Sequence, residues 1–388
     1  MHTVGIDVGK RHHVAVILDA NGQPVGKALR FANDQAGFNQ LLAQLAAVGE
    51  IVLIGLEATG HYWLALYAML VEAGYKLVVL NALQIHAYRK SGIRKRKNDR
   101  LDAFWIADYI RLSQFPQHNQ PQPELLQLRE LTRFRASLTD QVGDCKRKVI
   151  SILDRVFPEY ETLFSNVFIQ TSRRLLAEAL TPDEFADFDL TELAQLLAQT
   201  SRGRHGQAKA VEIQALARRS VGIGFLGDAL RVQMNCLLQQ LALLEVQREQ
   251  LDAEITALMD QLPQHITSIS GIGPVTGAII LAEIGDVQRF ATPEKLVAYA
   301  GIDPTVYQSG QFTASQTRMS KRGSPYLRHA LWQAAFMAAQ HDPQLRDFYQ
   351  KKRAEGKAHG TAVGAVCRKL LHRIFVVLKE QRPYVIRD

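Results

Sequence analysis

The apolar and polar positions of the chain change period along its length. Residues Thr3 to Val8 read as a strand, Val14 to Leu18 as a second short strand, and Asn21-Gly22 as a turn before a third run, Lys27 to Phe31. Three sequential antiparallel strands are predicted. A helical stretch follows around Phe38 to Ala47, then the continuous apolar run Ile51 to Leu56, which suits a strand covered on both faces. Tyr62 to Ala73 predicts a helix, Lys76 to Leu80 another strand, and a further helix runs from Asp99 to about Ile110. The order βββαβαβα implies a mixed sheet with helices on both sides.

The Gln/Pro-rich stretch Pro116 to Pro123 then reads as a linker, and the period changes. Positions 128, 131, 135, 138, 142, 145, 149 and 152 alternate in steps of three and four and are apolar except Arg135. Positions 230 to 262 repeat the spacing, with Arg248 as the break. Two coiled-coil seams are predicted, closed either between copies of the chain or by antiparallel pairing within one. Between them, residues 158–224 carry short helices with starts such as Thr181-Pro182-Asp183-Glu184, where Thr is the N-cap and Pro the first helical residue. The expected organisation is therefore an α/β domain at 1–115, a coiled-coil and helical region at 116–264 with an insertion at 158–224, and a helical domain at 265–388.

With 388 residues, 47% hydrophobic and 22% charged, the chain is long enough for two or three cores and is neither disordered nor of low complexity. Its formal net charge of +8 favours a polyanionic partner. Cys145, Cys236 and Cys367 lie far apart and form no Cys-x-x-Cys pair, which suits a reducing compartment. The start is not a signal sequence, and no apolar run reaches the roughly 18 residues of a membrane span, so a cytoplasmic location is expected.

Four carboxylates stand where carboxylates are costly or grouped. Asp7 lies inside the first strand and Glu57 ends the apolar run Ile51 to Leu56. If those strands are parallel neighbours, the two acids converge at their ends. Asp99 and Asp102, three apart at a helix start, share one face, although Asp99 reads equally well as an N-cap. Such a cluster repels itself unless cations neutralise it, and two Mg²⁺ ions about 4 Å apart would bridge a scissile phosphate. Asp108 falls on the other side of the helix and is expected to be solvated.

Arg94-Lys95-Arg96-Lys97 leads straight into Asp99, where phosphate and metal would meet. Gly271-Ile272-Gly273 precedes a helix and resembles a phosphate-binding helix-hairpin-helix turn, or is a tight interhelical turn. No acidic residue occurs between Asp303 and Asp342, a stretch holding Arg318, Lys321 and Arg322. Ser309, beside Gly310 in that stretch, is a candidate nucleophile or an ordinary loop serine.

Gly5-Ile6-Asp7-Val8-Gly9-Lys10, Leu56-Glu57-Ala58-Thr59-Gly60 and Lys97-Asn98-Asp99-Arg100-Leu101-Asp102-Ala103 resemble the DEDD domain of IS110-family transposases, including the IS1111 group. Further on, Gly271-Ile272-Gly273-Pro274, Ala298-Tyr299-Ala300-Gly301, Tyr307-Gln308-Ser309-Gly310 and Arg318-Met319-Ser320-Lys321-Arg322-Gly323 are similar to the family's second half. The resemblance implies an RNase H-like, RuvC-type fold, a coiled-coil middle and a helical transposase domain. It places Mg²⁺ ligands at Asp7, Glu57, Asp99 and Asp102 and the nucleophile at Ser309, which would form a covalent phosphoserine link. It also implies donor and target DNA as partners, an element-encoded noncoding guide RNA, and a tetramer with sites composed across subunits. A junction-resolving nuclease of the same fold using metal-activated water, and a non-catalytic nucleic-acid scaffold, are the alternatives the residues leave open.

Overall fold

The structure, a computed structural model, describes residues 2–57, 60–80, 82–90, 98–113, 122–305, 308–309, 312–313 and 318–386, with backbone alone at 52, 82–84, 90, 308, 309, 312 and 313. Two compact units are present: Met1–Pro123 with Ile284–Leu296, and Glu124–Glu283 with Val297–Asp388.

The first unit is built on five strands, β1 (His2–Asp7), β2 (His12–Leu18), β3 (Leu29–Ala32), β4 (Ile51–Glu57) and β5 (Leu77–Leu80). They lie in the order β3-β2-β1-β4-β5, with β2 antiparallel to its neighbours and β1, β4 and β5 mutually parallel. Helices α1 (Gln35–Val48), α2 (Trp63–Glu72), α3 (Ala82–Lys90) and α4 (Asp99–Leu112) complete it. All the expected elements are present, and α3 is one that the apolar pattern did not predict. Val4, Ile6, Ile54 and Leu56 are fully buried, as a sheet covered on both faces requires.

Gly5 and Gly55 face each other in the β1–β4 register and together form a notch beneath α4. A Cβ on Gly5 would overlap the carbonyl oxygen of Ala103 and the amide nitrogen of Ala107, and one on Gly55 would press on Ile106 and Ile110. Buried Ala103 and Ala107 complete the close approach of helix to sheet. This contact sets where the first turn of α4 lies relative to the ends of the strands.

The second unit is helical. Its long helices α5 (Pro123–Val156) and, after the short α6 (Gln170–Glu178), α7 (Pro182–Asp187), α8 (Leu190–Ser201) and α9 (Gln207–Ala217), α10 (Gly227–Asp260) carry the two seams. Arg135 pairs with Asp252 while Cys145 meets Gln240, so the partner number falls as the residue number rises and the helices are antiparallel. Leu138, Val142, Cys145, Leu241 and Leu244 are buried in one cluster. The two seams thus meet within one chain, and Arg135 pairs across them with Asp252.

Residues 158–224 form a helical cap with its own core, in which Phe157, Tyr160 and Phe185 pack together and join the ends of α5 and α10. Thr181 caps α7 as expected, and Glu184 completes a capping box with it. Beyond α10 come α11 (Pro274–Ile284), α12 (Pro293–Ala300), the two-residue strands β6 (Gln308–Ser309) and β7 (Phe312–Thr313), α13 (Pro325–His341), α14 (Pro343–Ala354) and α15 (His359–Glu380). Among the described residues no helix is long and apolar enough to cross a membrane.

A candidate catalytic site of four carboxylates

Because β1 and β4 are parallel and Ile6 is in register with Leu56, Asp7 and Glu57 end their strands side by side. In open α/β sheets, ligands bind beyond these carboxyl ends. The notch seats α4 on the same strands. Asn98, not Asp99, is the N-cap of α4: its side chain accepts a 2.8 Å hydrogen bond from the Leu101 amide. Asp99 and Asp102 therefore occupy the first helical turn with no capping duty, Asp99 exposed and Asp102 only 7% exposed.

Arg89, at the end of α3, ties two of these acids together. Its guanidinium lies 3.1 Å from the Glu57 carboxylate and 3.3 Å from that of Asp102. Its Nε is buried and has no hydrogen-bond partner among the described residues.

The electrostatics at Asp7 link it to the other three acids. Burial pushes the Asp7 carboxyl up to about 6, and Asp102, Asp99 and Glu57 push it the same way, with Arg89 opposing. Among the described residues, Arg89 is the cation paired with Glu57 and Asp102. The donor set is all oxygen and suits a hard divalent cation, and a cationic group already bridges two of its members, so the residues fit such an ion. Among the described residues, no three His, Cys, Asp or Glu side chains stand in metal-holding geometry.

Other sequence expectations fare differently. Asp108 is not solvated: it accepts a 2.6 Å hydrogen bond from Tyr88 and pairs with Arg111, which locks α3 to α4. Arg94, Lys95, Arg96 and Lys97 lie outside the described residues. Ser309 has its backbone in β6, in register with Phe312 of β7, and its side chain lies outside the described residues.

In the second unit, Gly271 has a packing reason to be glycine: at φ +91° it presses against Ala334 and Ala338 of α13. Gly273 meets open space. Arg318, Lys321 and Arg322 are exposed on a segment locked to α12 by two glycines: Gly301 abuts Arg322, and Gly323 abuts Tyr299. Ser320 hydrogen-bonds Asp303, and Lys321 is held at φ +53°, a conformation costly for a side-chain-bearing residue. The segments Ala298–Gly301 and Arg318–Gly323, distant in sequence, are thus one structural piece.

Sequence reasoning missed Arg89. It was visible only as the first member of a basic run, and the apolar pattern gave no helix to place it.

Comparison with known proteins gives two family matches. Residues 4–158 match the model of the IS110 DEDD transposase domain, and residues 263–350 match that of the IS116/IS110/IS902 transposase family. An uncharacterized 44.8 kDa protein of insertion element IS116 from Streptomyces clavuligerus is 29% identical, covering 98% of this chain and 95% of its own. A pilin gene-inverting protein of Moraxella bovis is 24% identical, covering 98% and 97%. A solved structure of T. thermophilus RuvC with a Holliday junction substrate aligns at 14% identity over 28% of this chain and 90% of its own, with a TM-score of 0.22. With two matches that together span more than half of its residues, in the order of the motifs above, the chain belongs to the IS110 family of transposases.

Proposed function

We propose that this transposase cleaves and rejoins DNA strands at a divalent-cation site made by Asp7, Glu57, Asp99 and Asp102, with Ser309 as the nucleophile. The observation that supports the reading is that Asp7 and Glu57 end neighbouring parallel strands and that Arg89 bridges Glu57 to Asp102 in the first turn of α4. The strand order β3-β2-β1-β4-β5 with β2 antiparallel supports an RNase H-like, RuvC-type domain. When bound, Mg²⁺ would neutralise the acids and supply Lewis-acid chemistry at the phosphate.

The remaining steps belong to the chain. The Ser309 hydroxyl oxygen attacks phosphorus and gives up its proton, the bond from phosphorus to a sugar oxygen breaks, and the departing sugar hydroxyl takes up a proton. A phosphoserine ester holds the strand until a second sugar hydroxyl attacks it, reverses the exchange and frees the serine. Arg318, Lys321 and Arg322, exposed on the glycine-locked segment, suit the DNA or RNA backbone. The name of the Moraxella relatives, pilin gene-inverting protein, fits conservative rejoining of DNA. Guidance by an element-encoded noncoding RNA, which would choose donor and target DNA, and a tetramer with composite sites rest on the family resemblance.

With candidate RNA, both DNAs and Mg²⁺, denaturing gels should show a protein–DNA adduct that Ser309→Ala abolishes and Asp7→Asn reduces by at least about a thousandfold, about 4 kcal/mol of barrier. Adducts persisting in Ser309→Ala would remove the serine step. Hydrolysis with no adduct would support the nuclease that uses activated water.

A further inference from the structure

Arg89 is an odd resident for a site that needs divalent cations. It comes from α3, whose neighbouring Tyr88 is fastened to Asp108 of α4, so the backbone that carries it is anchored beside the acids. The guanidinium reaches Glu57 of β4 and Asp102 of α4, joining acids from two elements at 3.1 and 3.3 Å. A guanidinium has five N–H donors in a planar fork, and here the buried Nε has no acceptor among the described residues. The contact is close enough to neutralise the acids and incompletely satisfied, as suits a side chain that must leave.

We propose that Arg89 is a positioning residue, the counter-cation of the site before metal arrives, and that loading a divalent cation displaces it from Glu57 and Asp102. This rests on the metal-dependent reading above. With Arg89 in place, Glu57 and Asp102 are held near each other but an oxygen of each is engaged. A divalent cation must therefore bind the fraction of molecules in which the fork has opened, which weakens its apparent affinity by that fraction. Once released, a planar five-donor cation anchored on α3 is suited to a phosphate oxygen of the DNA, since Arg recognises carboxylate and phosphate with the same fork. The side chain would thus hold Glu57 and Asp102 together before metal arrives and report, by its departure, that metal has entered.

The test is Mn²⁺ binding to the full-length protein by isothermal titration, with thermal unfolding in EDTA and in saturating Mn²⁺. Arg89→Gln should bind Mn²⁺ at least about ten times more tightly than wild type. It should unfold at lower temperature in EDTA, where Glu57 and Asp102 lose the Arg89 charge, and the deficit should close in Mn²⁺. Arg89→Lys keeps the charge and loses the fork, so it should also bind more tightly, by a smaller factor, and it keeps the proposal testable if Arg89→Gln does not fold. Unchanged or weaker Mn²⁺ binding in a folded variant overturns the inference and leaves the metal reading standing. No Mn²⁺ uptake by wild type or either variant overturns the metal reading and the inference with it.

Discussion

Two buried acids in this molecule are treated in opposite ways. Glu283, 2% exposed in the helical unit, receives both ends of the Arg133 fork at 2.8 and 3.1 Å, and despite burial that pairing holds its carboxyl below the ordinary range. Arg129 lies alongside, bonded to the carbonyl of Ala282. Asp7, at the sheet end, has its carboxyl pushed up to about 6 by burial and by three acidic neighbours, against one opposing guanidinium. A carboxylate that serves the fold is matched one to one with a cation. A carboxyl crowded by other acids, as Asp7 is, is destabilising in its charged form, and such perturbed groups cluster at functional sites.

The sharpest way to break this contrast is to remove charge from each place. Arg133→Ala leaves a buried, unpaired carboxylate and should cost about 3 kcal/mol of unfolding free energy in a denaturant titration. Asp7→Asn should do the reverse in EDTA, raising stability while removing activity. A loss of stability in both would mean that the four acids are structural.

The second prediction is a difference in pH dependence, measured without divalent metal. A folded-state value raised from 3.8 to about 6 means that Asp7 prefers its proton in the native state. Its contribution therefore favours folding at low pH and is lost as pH rises between those values, which Asp7→Asn should abolish. Glu283 is held low, so its contribution is present above the ordinary glutamate range and is lost as pH falls through its folded value. Thermal unfolding of Asp7→Asn and Glu283→Gln from pH 3 to 7 should change the curve at opposite ends; parallel curves would remove the distinction.

The smallest effect compares two helix caps. Asn98→Ala and Thr181→Ala each lose a side-chain cap and should each cost about 1 kcal/mol. Only Asn98→Ala should also lower strand transfer, because the turn it caps carries Asp99 and Asp102. Equal activity in both variants would mean that the cap does not position the acids.

The parts of this contrast that were legible in sequence are those with a local cost. An acid inside an apolar strand, as at Asp7 and Glu57, stands out because burial penalises it, while the parallel pairing that sets the two side by side entered only as a condition. The three-and-four spacing marked α5 and α10 as seam-bearing helices but could not choose the partner, since an antiparallel pair within one chain and a bundle of several chains satisfy the same period. Arg89 was hidden because a basic run looks like solvated surface until a second element places it against acids. Asp108 was misjudged for the same reason: its partner Tyr88 sits on a helix that the apolar pattern did not announce. The role of Ser309 was legible only through its family motif.

The paired glycines beneath α4 bear on how copies of such an element decay. Gly5 and Gly55 touch no DNA in the chemistry proposed above, yet a glycine codon becomes an alanine codon by one base change, and at position 5 that methyl group would lift the helix bearing two of the acids off the strand bearing a third. A genomic copy with every acid and the serine intact would then be inert, so an inventory of live elements has to read the two residues that have no side chain as closely as those that do.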